Sequence, residues 1–296
     1  MKDDKNFRSG FITIIGRPNV GKSTFLNLIL QEKLSIISAK PQTTRHQIKG
    51  IYNGDNCQLI FLDTPGFLKP RYELQDKMVG YIMSSLKDTD LIIFITDVQN
   101  YPTDYDLEIL KLITRHPSPK IALLNKIDKT DAQTVSSRET ELGGFGFERV
   151  IPISLINTGN LADLIQLISG YMPFNPPYYA EDEISDLPMR FFAQEIIREQ
   201  IFHNFREEIP YSSTVVVEDF KEEPNKIVIS ANIWLERKSQ KPILIGTNGE
   251  MIKKIRLASE KEIYRVIGKK IRLHLWIKIK PNWRKKKNAL KEFGYQ

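Results

Sequence analysis

"GRPNVGKST", residues 16–24, is the stretch that decides how the first half of this chain folds. It fits the pattern G-x-x-x-x-G-K-[ST], follows the apolar run "FITIIG" (11–16) and opens the helix-forming segment "KSTFLNLIL" (22–30). Gly16 and Gly21 let the backbone of Arg17, Pro18, Asn19 and Val20 wrap close to a phosphate, and successive amide N–H groups with the helix N-terminus supply a fixed positive field. Lys22 is placed for the β- and γ-phosphates and the hydroxyl of Ser23 for Mg2+, with Thr24 beside them.

Working outward, the runs "CQLIFLD" (57–63), "DLIIFITD" (90–97), "KIALLNK" (120–126) and "RVIPIS" (149–154) recur with helix-like segments between them. Short runs buried on both faces and alternating with helices indicate an α/β domain with a mostly parallel sheet. A phosphate loop does not choose between ATP and GTP, but "NKID" (125–128) does. Asn125 and Asp128 follow a strand, the Asp128 carboxylate can accept from N1–H and N2–H2 of guanine, an edge adenine lacks, and the stem of Lys126 can lie over the ring. In "DTPGF" (63–67) Asp63 ends a buried strand and can reach Mg2+ through water. Thr64 and Pro65 lead to Gly66, whose amide can sense a γ-phosphate. The polar loop "SAKPQTTRH" (38–46) offers Thr43 or Thr44 to close over Mg2+, Thr44 being preferred. In "ISLINTG" (153–159) the backbone at Leu155, after Ser154, can donate to the guanine O6.

At 296 residues the chain is long for one core, and two domains are expected. No apolar run approaches the roughly 18 residues that span a bilayer, and "MKDDKNFRSG" (1–10) has no signal-peptide apolar region. The single cysteine, Cys57, excludes an internal disulfide and a cysteine metal cluster, which fits a reducing, intracellular location. The formal net charge of +7 is unevenly placed: residues 181–236 hold 5 Lys and Arg against 13 Asp and Glu, and residues 237–296 hold 18 against 4. The basic end suits a polyanion, either nucleic acid or an anionic membrane surface, or else a solvated helical face.

"YMPFNPPYYAEDEISDLP" (171–188), with four prolines and an acidic cluster, reads as an interdomain linker between domains at 1–170 and 189–296. After it come a helix ("MRFFAQEIIREQIFHNF"), two strands ("STVVVEDF", "KIVISANIWLE"), two helices about a glycine-flanked turn ("PILIGTNGEMIKKIRLASEKEIYRVIG") and a strand ("KIRLHLWIKIK"). That order describes a smaller α+β module. Gly246 and Gly249 let the turn approach RNA phosphates, while Thr247, Asn248, Lys253 and Lys254 supply donors and charge. A helix-turn-helix DNA reader would leave a similar short-turn signature.

With these elements in order, residues 11–170 resemble the translation-factor-like GTPases, specifically the Era-like subgroup with its N-V-G-K-S loop, T-T-R switch and D-T-P-G. The subgroup usually has Ser-Ala where this chain has Ser154-Leu155. Residues 189–296 resemble a type II KH module, and the two domains joined in this order resemble the Era family of bacterial GTPases along nearly the whole chain. The resemblance implies a GTP/GDP switch using Mg2+, cytoplasmic and monomeric, that binds 16S ribosomal RNA near its 3′ end and assists assembly of the small (30S) ribosomal subunit. The ending "NWRKKKNALKEFGY" (282–295) is similar to the family's tail, and its block Arg284, Lys285, Lys286 and Lys287 can meet ribosomal RNA or, peripherally, the cytoplasmic face of the inner membrane. Lys22, Asp63, Gly66 and Asn19 are the expected catalytic set. Phe67 replaces the water-orienting glutamine of better-known switch proteins and cannot hold a water. Three readings stand: Phe67 is a packing residue with water held by backbone groups; K+ held by Asn19, as in potassium-activated relatives, supplies charge; or the domain binds without hydrolysing. The competing functional reading is a KH-based RNA scaffold with a structural nucleotide domain. A tRNA-modifying relative is disfavoured, because such proteins carry a C-terminal cysteine.

Overall fold

The computed structural model describes residues 6–38, 40–157 and 161–295. The first five residues of the N-terminal stretch, Ala39 of the polar loop, Thr158 and Gly159 of "ISLINTG" and the terminal Gln296 lie outside the described residues. The chain divides into two compact units, the first comprising Met1–Ser35, Thr44–Lys69 and Met78–Asp186, the second Ile36–Thr43, Pro70–Lys77 and Leu187–Gln296.

In chain order the elements as far as residue 170 are β1 (Arg8–Ile15), α1 (Lys22–Leu30), β2 (Ile48–Asn53), β3 (Cys57–Asp63), α2 (Glu73–Lys87), β4 (Leu91–Asp97), α3 (Asp104–Thr114), β5 (Lys120–Asn125), α4 (Ala132–Gly143), β6 (Arg149–Ile153) and α5 (Leu161–Gly170). The sheet order is β2-β3-β1-β4-β5-β6. Only β2 runs antiparallel, paired with β3, and every other neighbouring pair is parallel. The apolar runs of β1, β3, β4 and β5 are buried on both faces, as a covered parallel sheet requires. From β1 the chain goes to one side of the sheet and later returns to the other, so the C-terminal ends of β1 and β4 form the switch point where such sheets bind ligands.

Residues 171–186 are not a free linker. Ser9 N donates to Pro173 O (3.1 Å), Ile51 N to Ile184 O (2.9 Å), and the N–H groups of Tyr178 and Tyr179 to the buried Gln58 Oε1 (2.7 and 2.9 Å). Lys49 Nζ pairs with Asp186 at 2.5 Å. The prolines forbid helix and ladder here, but the remaining amides still need partners, and they find them on the first unit.

The second unit contains α6 (Met189–Asn204), α7 (Ile209–Ser212), β7 (Thr214–Glu223), β8 (Lys226–Leu235), α8 (Gln240–Ile245), α9 (Glu250–Ile267), β9 (Lys270–Ile279) and α10 (Lys287–Glu292). Apart from the short α7 and α10, this is the expected helix-strand-strand-helix-helix-strand order. In its sheet β8 is central, antiparallel to β7 and parallel to β9. Alternation places Ile227, Ile229, Ile233, Ile271 and Leu273 in one core with Ile197 and Ile201 of α6 and Ile255 and Ile263 of α9. The tail is ordered by Trp283, Leu290, Phe293 and Tyr295, all buried, with Trp283 Nε1 donating to Ser212 O (2.9 Å).

Candidate functional site

The phosphate loop joins β1 to α1, and Gly21, at φ 111°, closes it. A Cβ there would stand 2.5 Å from Asn125 Nδ2, so a side chain is excluded by conformation and by space. Lys22 is buried, with Nζ donating to Arg17 O at 2.9 Å. Burial, assisted by the nearby Arg17 and opposed by Asp63, lowers the Lys22 ammonium to about 8. The Arg17 guanidinium turns away from the loop to Asp97 Oδ2 (2.5 Å) and Asp106 Oδ2 (3.2 Å), which leaves Arg17 only its backbone to offer an anion. Asp97 is partly desolvated, which pushes its carboxyl up, but Asn100, Arg17 and Lys126 together hold it below the usual range. Asp97 and Asp106 escaped the sequence reading; the available signal was an acid ending β4 as Asp63 ends β3.

Three oxygen donors meet beside the loop. Ser23 Oγ lies 2.8 Å from Asp63 Oδ2 and 2.9 Å from Thr44 Oγ1. Ser35, not singled out from sequence, donates to the same carboxylate oxygen at 2.9 Å. The other one, Asp63 Oδ1, is buried with no hydrogen-bond partner among the described residues. Burial pushes the Asp63 carboxyl above its ordinary value, while Lys22, Ser23 and Ser35 oppose that shift. An orphaned carboxylate oxygen among hydroxyls fits a hard cation that takes oxygen ligands and keeps part of its water shell, as Mg2+ does. The other candidate, Thr43, has its hydroxyl donating to Lys40 O (2.6 Å) and its carbonyl accepting from Arg198.

Asn125 clamps the loop from the neighbouring strand, Nδ2 donating to Val20 O at 2.8 Å. Lys126, in the left-handed region at φ 65°, donates through Nζ to Asn19 O (2.8 Å) and approaches Asp97 (3.4 Å). Asp128 Oδ1 accepts from Ser154 Oγ at 2.5 Å. A cavity of about 900 Å³ opens beside them, with Ile127, Asp128, Pro152, Ser154, Asn157 and Leu161 in its wall. One expectation is corrected: the Leu155 N–H, assigned to the guanine O6, donates to Asn125 Oδ1 at 3.2 Å, because that amide oxygen is itself buried and needs a donor.

The switch loop after β3 is held to the phosphate loop by Phe67 N donating to Gly16 O (3.1 Å). Thr64 is structural, its buried hydroxyl bonded to Ile14 O at 2.7 Å. The ring of Phe67 packs on the core formed by Ile15, Ile82, Phe94 and their neighbours.

In the second unit the G-x-x-G turn separates α8 from α9. Gly246 adopts φ 76°, and a Cβ there would stand 2.6 Å from Met251 Cβ. Thr247, Asn248, Lys253 and Lys254 are exposed. Among the tail residues Arg284 is corrected: it is half-buried, pairs with Glu236 at 2.5 Å and lies over the Tyr72 ring, 5.1 Å away. Burial would lower its guanidinium, but Glu236 and Tyr72 raise it overall. Arg284 anchors the tail, while Lys285, Lys286 and Lys287 are exposed, with Lys287 4.0 Å from Glu73.

A family profile described as "50S ribosome-binding GTPase" matches residues 11–126, and one described as "KH domain" matches residues 208–284. "GTPase Era" of Geotalea uraniireducens is 41% identical over 295 residues, 99% of each chain. "GTPase Era" of a Geobacter species is 43% identical over the same length and coverage. Two crystal structures match with TM-score 0.94 and 37% identity, over 98% of this chain and 99% of theirs: Era in complex with MgGDPNP and nucleotides 1506–1542 of 16S ribosomal RNA, and an Aquifex aeolicus Era variant bound to GDP and AlF4−.

Proposed function

Because the chain belongs to the Era family of GTPases, as its full-length identity to several members shows, we propose a GTP-binding, slowly hydrolysing switch whose KH domain binds 16S ribosomal RNA during assembly of the 30S subunit. The observation that carries the nucleotide half is the buried Asp63 Oδ1, without a hydrogen-bond partner among the described residues, beside Ser23 and Thr44. Ser23 and Thr44 would hold Mg2+ directly and Asp63 through water, and the bound ion supplies charge neutralisation at the β- and γ-phosphates. Among the described residues no cluster of three or more His, Cys, Asp or Glu offers an alternative metal site.

In this reading Lys22, already desolvated, donates to the terminal phosphates, and the backbone N–H groups of residues 19–23 cradle them. Asp128 reads the guanine edge, with Asn125 holding the base loop to the phosphate loop. Water attacks the γ-phosphorus, the bond to the β–γ bridging oxygen breaks, and GDP and phosphate leave. Phe67 packs against the core and orients no water, so turnover is slow and a partner accelerates it. K+ held at Asn19 is the second source of charge; equal turnover in KCl and NaCl at matched ionic strength removes it. Ile36–Thr43, which runs directly into Thr44, groups with the second unit, and this supports nucleotide state setting RNA engagement. Gly246, Thr247, Asn248, Gly249, Lys253 and Lys254 contact the RNA, with Lys285 to Lys287 adding phosphate contacts.

The protein works as a cytoplasmic monomer. Among the described residues no helix is long and apolar enough to cross a membrane, so any membrane contact is peripheral, through the basic tail. The experiment compares RNA affinity with GDPNP and with GDP, for the natural chain and Lys22→Ala. A switch loses its nucleotide dependence in the variant. A scaffold shows no nucleotide dependence in either protein.

A further inference from the structure

The second unit carries basic and aromatic groups that the G-x-x-G turn does not use. Along β9 the odd positions Ile271 and Leu273 enter the core shared with α9, so the even positions Lys270, Arg272, His274, Trp276 and Lys278 stand on the opposite face of the sheet. Four of these are exposed and His274 is half-exposed. The register sets Arg272 beside Val228, His274 beside Ser230 and Trp276 beside Asn232 on β8.

This face has two ends. At one, Trp234 is covered by Phe293 of the ordered tail (ring centroids 5.3 Å) and by the ammonium groups of Lys278 and Lys280. At the other, Trp276 is 50% exposed, with the His274 ring 5.9 Å away and inclined by 33°. The acids of β7 are already engaged: Glu218 with Asn232, Asp219 with Lys221, Glu222 with Lys269 and Glu223 with Lys226. Lys270, Arg272 and Lys278 have no carboxylate partner among the described residues, so β9 presents net positive charge beside an uncovered indole.

We propose that this open sheet face, centred on Trp276 with Arg272, His274 and Lys278, is a second RNA-binding surface, separate from the G-x-x-G turn. Unpaired bases stack on Trp276 and His274, and Arg272 and Lys278 hold the adjoining phosphates. Aromatic side chains displayed on a sheet and rimmed by cations are a general solution for single-stranded RNA, since every base offers a π face. A bilayer is a poorer match, because Trp276 is the only large apolar side chain exposed on these three strands and its row neighbours are polar. An RNA strand longer than the footprint of the turn would pass from α9 around the exposed edge of β9 onto this face.

The inference rests on the RNA-binding reading, and the test separates the two. The full chain with GDPNP is titrated with fluorescein-labelled, randomised single-stranded RNAs of about 8 and about 24 nucleotides, one near and one beyond the footprint of a single small module. The expected result is that Trp276→Ala weakens the longer RNA about tenfold and leaves the shorter one unchanged, that Trp276→Phe keeps most of the affinity, and that Lys253→Ala/Lys254→Ala weakens both. Irradiation at short ultraviolet wavelength should give an RNA adduct on the peptide holding Trp276. Unchanged affinity of Trp276→Ala for the longer RNA, with Lys253→Ala/Lys254→Ala still weakened, overturns the second surface and leaves the first reading standing. A natural chain that binds neither RNA overturns both. Loss of binding to phosphatidylglycerol vesicles in Trp276→Ala, with RNA binding intact, overturns the proposal in favour of a membrane.

Discussion

The nucleotide site and the basic surfaces proposed for RNA on the second unit are both suited to phosphate, yet they are built in opposite ways. Around the phosphate loop the cations are buried or partly buried and already committed: Lys22 to Arg17 O, Arg17 to Asp97 and Asp106, and Lys126 to Asn19 O and Asp97. Around the G-x-x-G turn and on the open sheet face the cations are exposed. The first arrangement fixes a few atoms where a triphosphate and its metal must sit, in a medium where each interaction is strong. The second lays charge along a surface, where each contact is weak, screened by salt and repeated. One site should therefore fail abruptly when a single atom is removed, and the other should fade by increments.

The sharpest way to break that comparison is Lys22→Ala, which should lower the rate of GTP hydrolysis by about 100-fold or more, the scale seen when one preorganised electrostatic donor is lost. A single-turnover assay checks it, and a loss of only a few fold would mean that the loop is no more specialised than the surface. Next, Lys253→Ala/Lys254→Ala should weaken RNA by roughly tenfold at physiological salt and reduce the slope of log affinity against log salt by about 2, with GTP turnover unchanged. Smaller again is Arg284→Ala, which marks where the comparison crosses within one basic block. It leaves Glu236 partly buried without its partner and should cost about 1–3 kcal/mol of stability, read by denaturant melts, with the RNA salt slope unmoved. Lys285→Ala should do the reverse, leaving stability alone and reducing the slope by about 1.

Much of this was legible in the sequence because the signals are local. A glycine-bounded loop between an apolar run and a helix leaves little choice of structure, and "DTPG" and "NKID" follow strands whose burial fixes where they end. "KIRLHLWIKIK" was legible as a strand, and the structure puts its Ile271 and Leu273 in the core. What failed were partnerships between distant residues. Leu155 N–H looked available for a base because nothing nearby in sequence shows that Asn125 Oδ1, 30 positions away, accepts it. Arg284 looked like one more member of a basic block until Glu236, 48 positions earlier, took it. Residues 171–188 looked like a linker because proline and acid composition reports the lack of regular structure, not the lack of partners, which 171–186 find on the first unit. Ser35 and Asp106 carried no motif at all; only their burial against Asp63 and Arg17 marks them.

The central claim is that nucleotide state governs engagement of one particular RNA. It is tested most directly by crosslinking the protein to bound RNA in cells or extract, with the nucleotide held as GDPNP or as GDP, and sequencing what is recovered. The expected result is enrichment of fragments from the 3′ end of 16S ribosomal RNA, with recovery that differs between the two nucleotide states. Recovery dominated by messenger or transfer RNA, or 16S fragments in equal yield with both nucleotides, would contradict it.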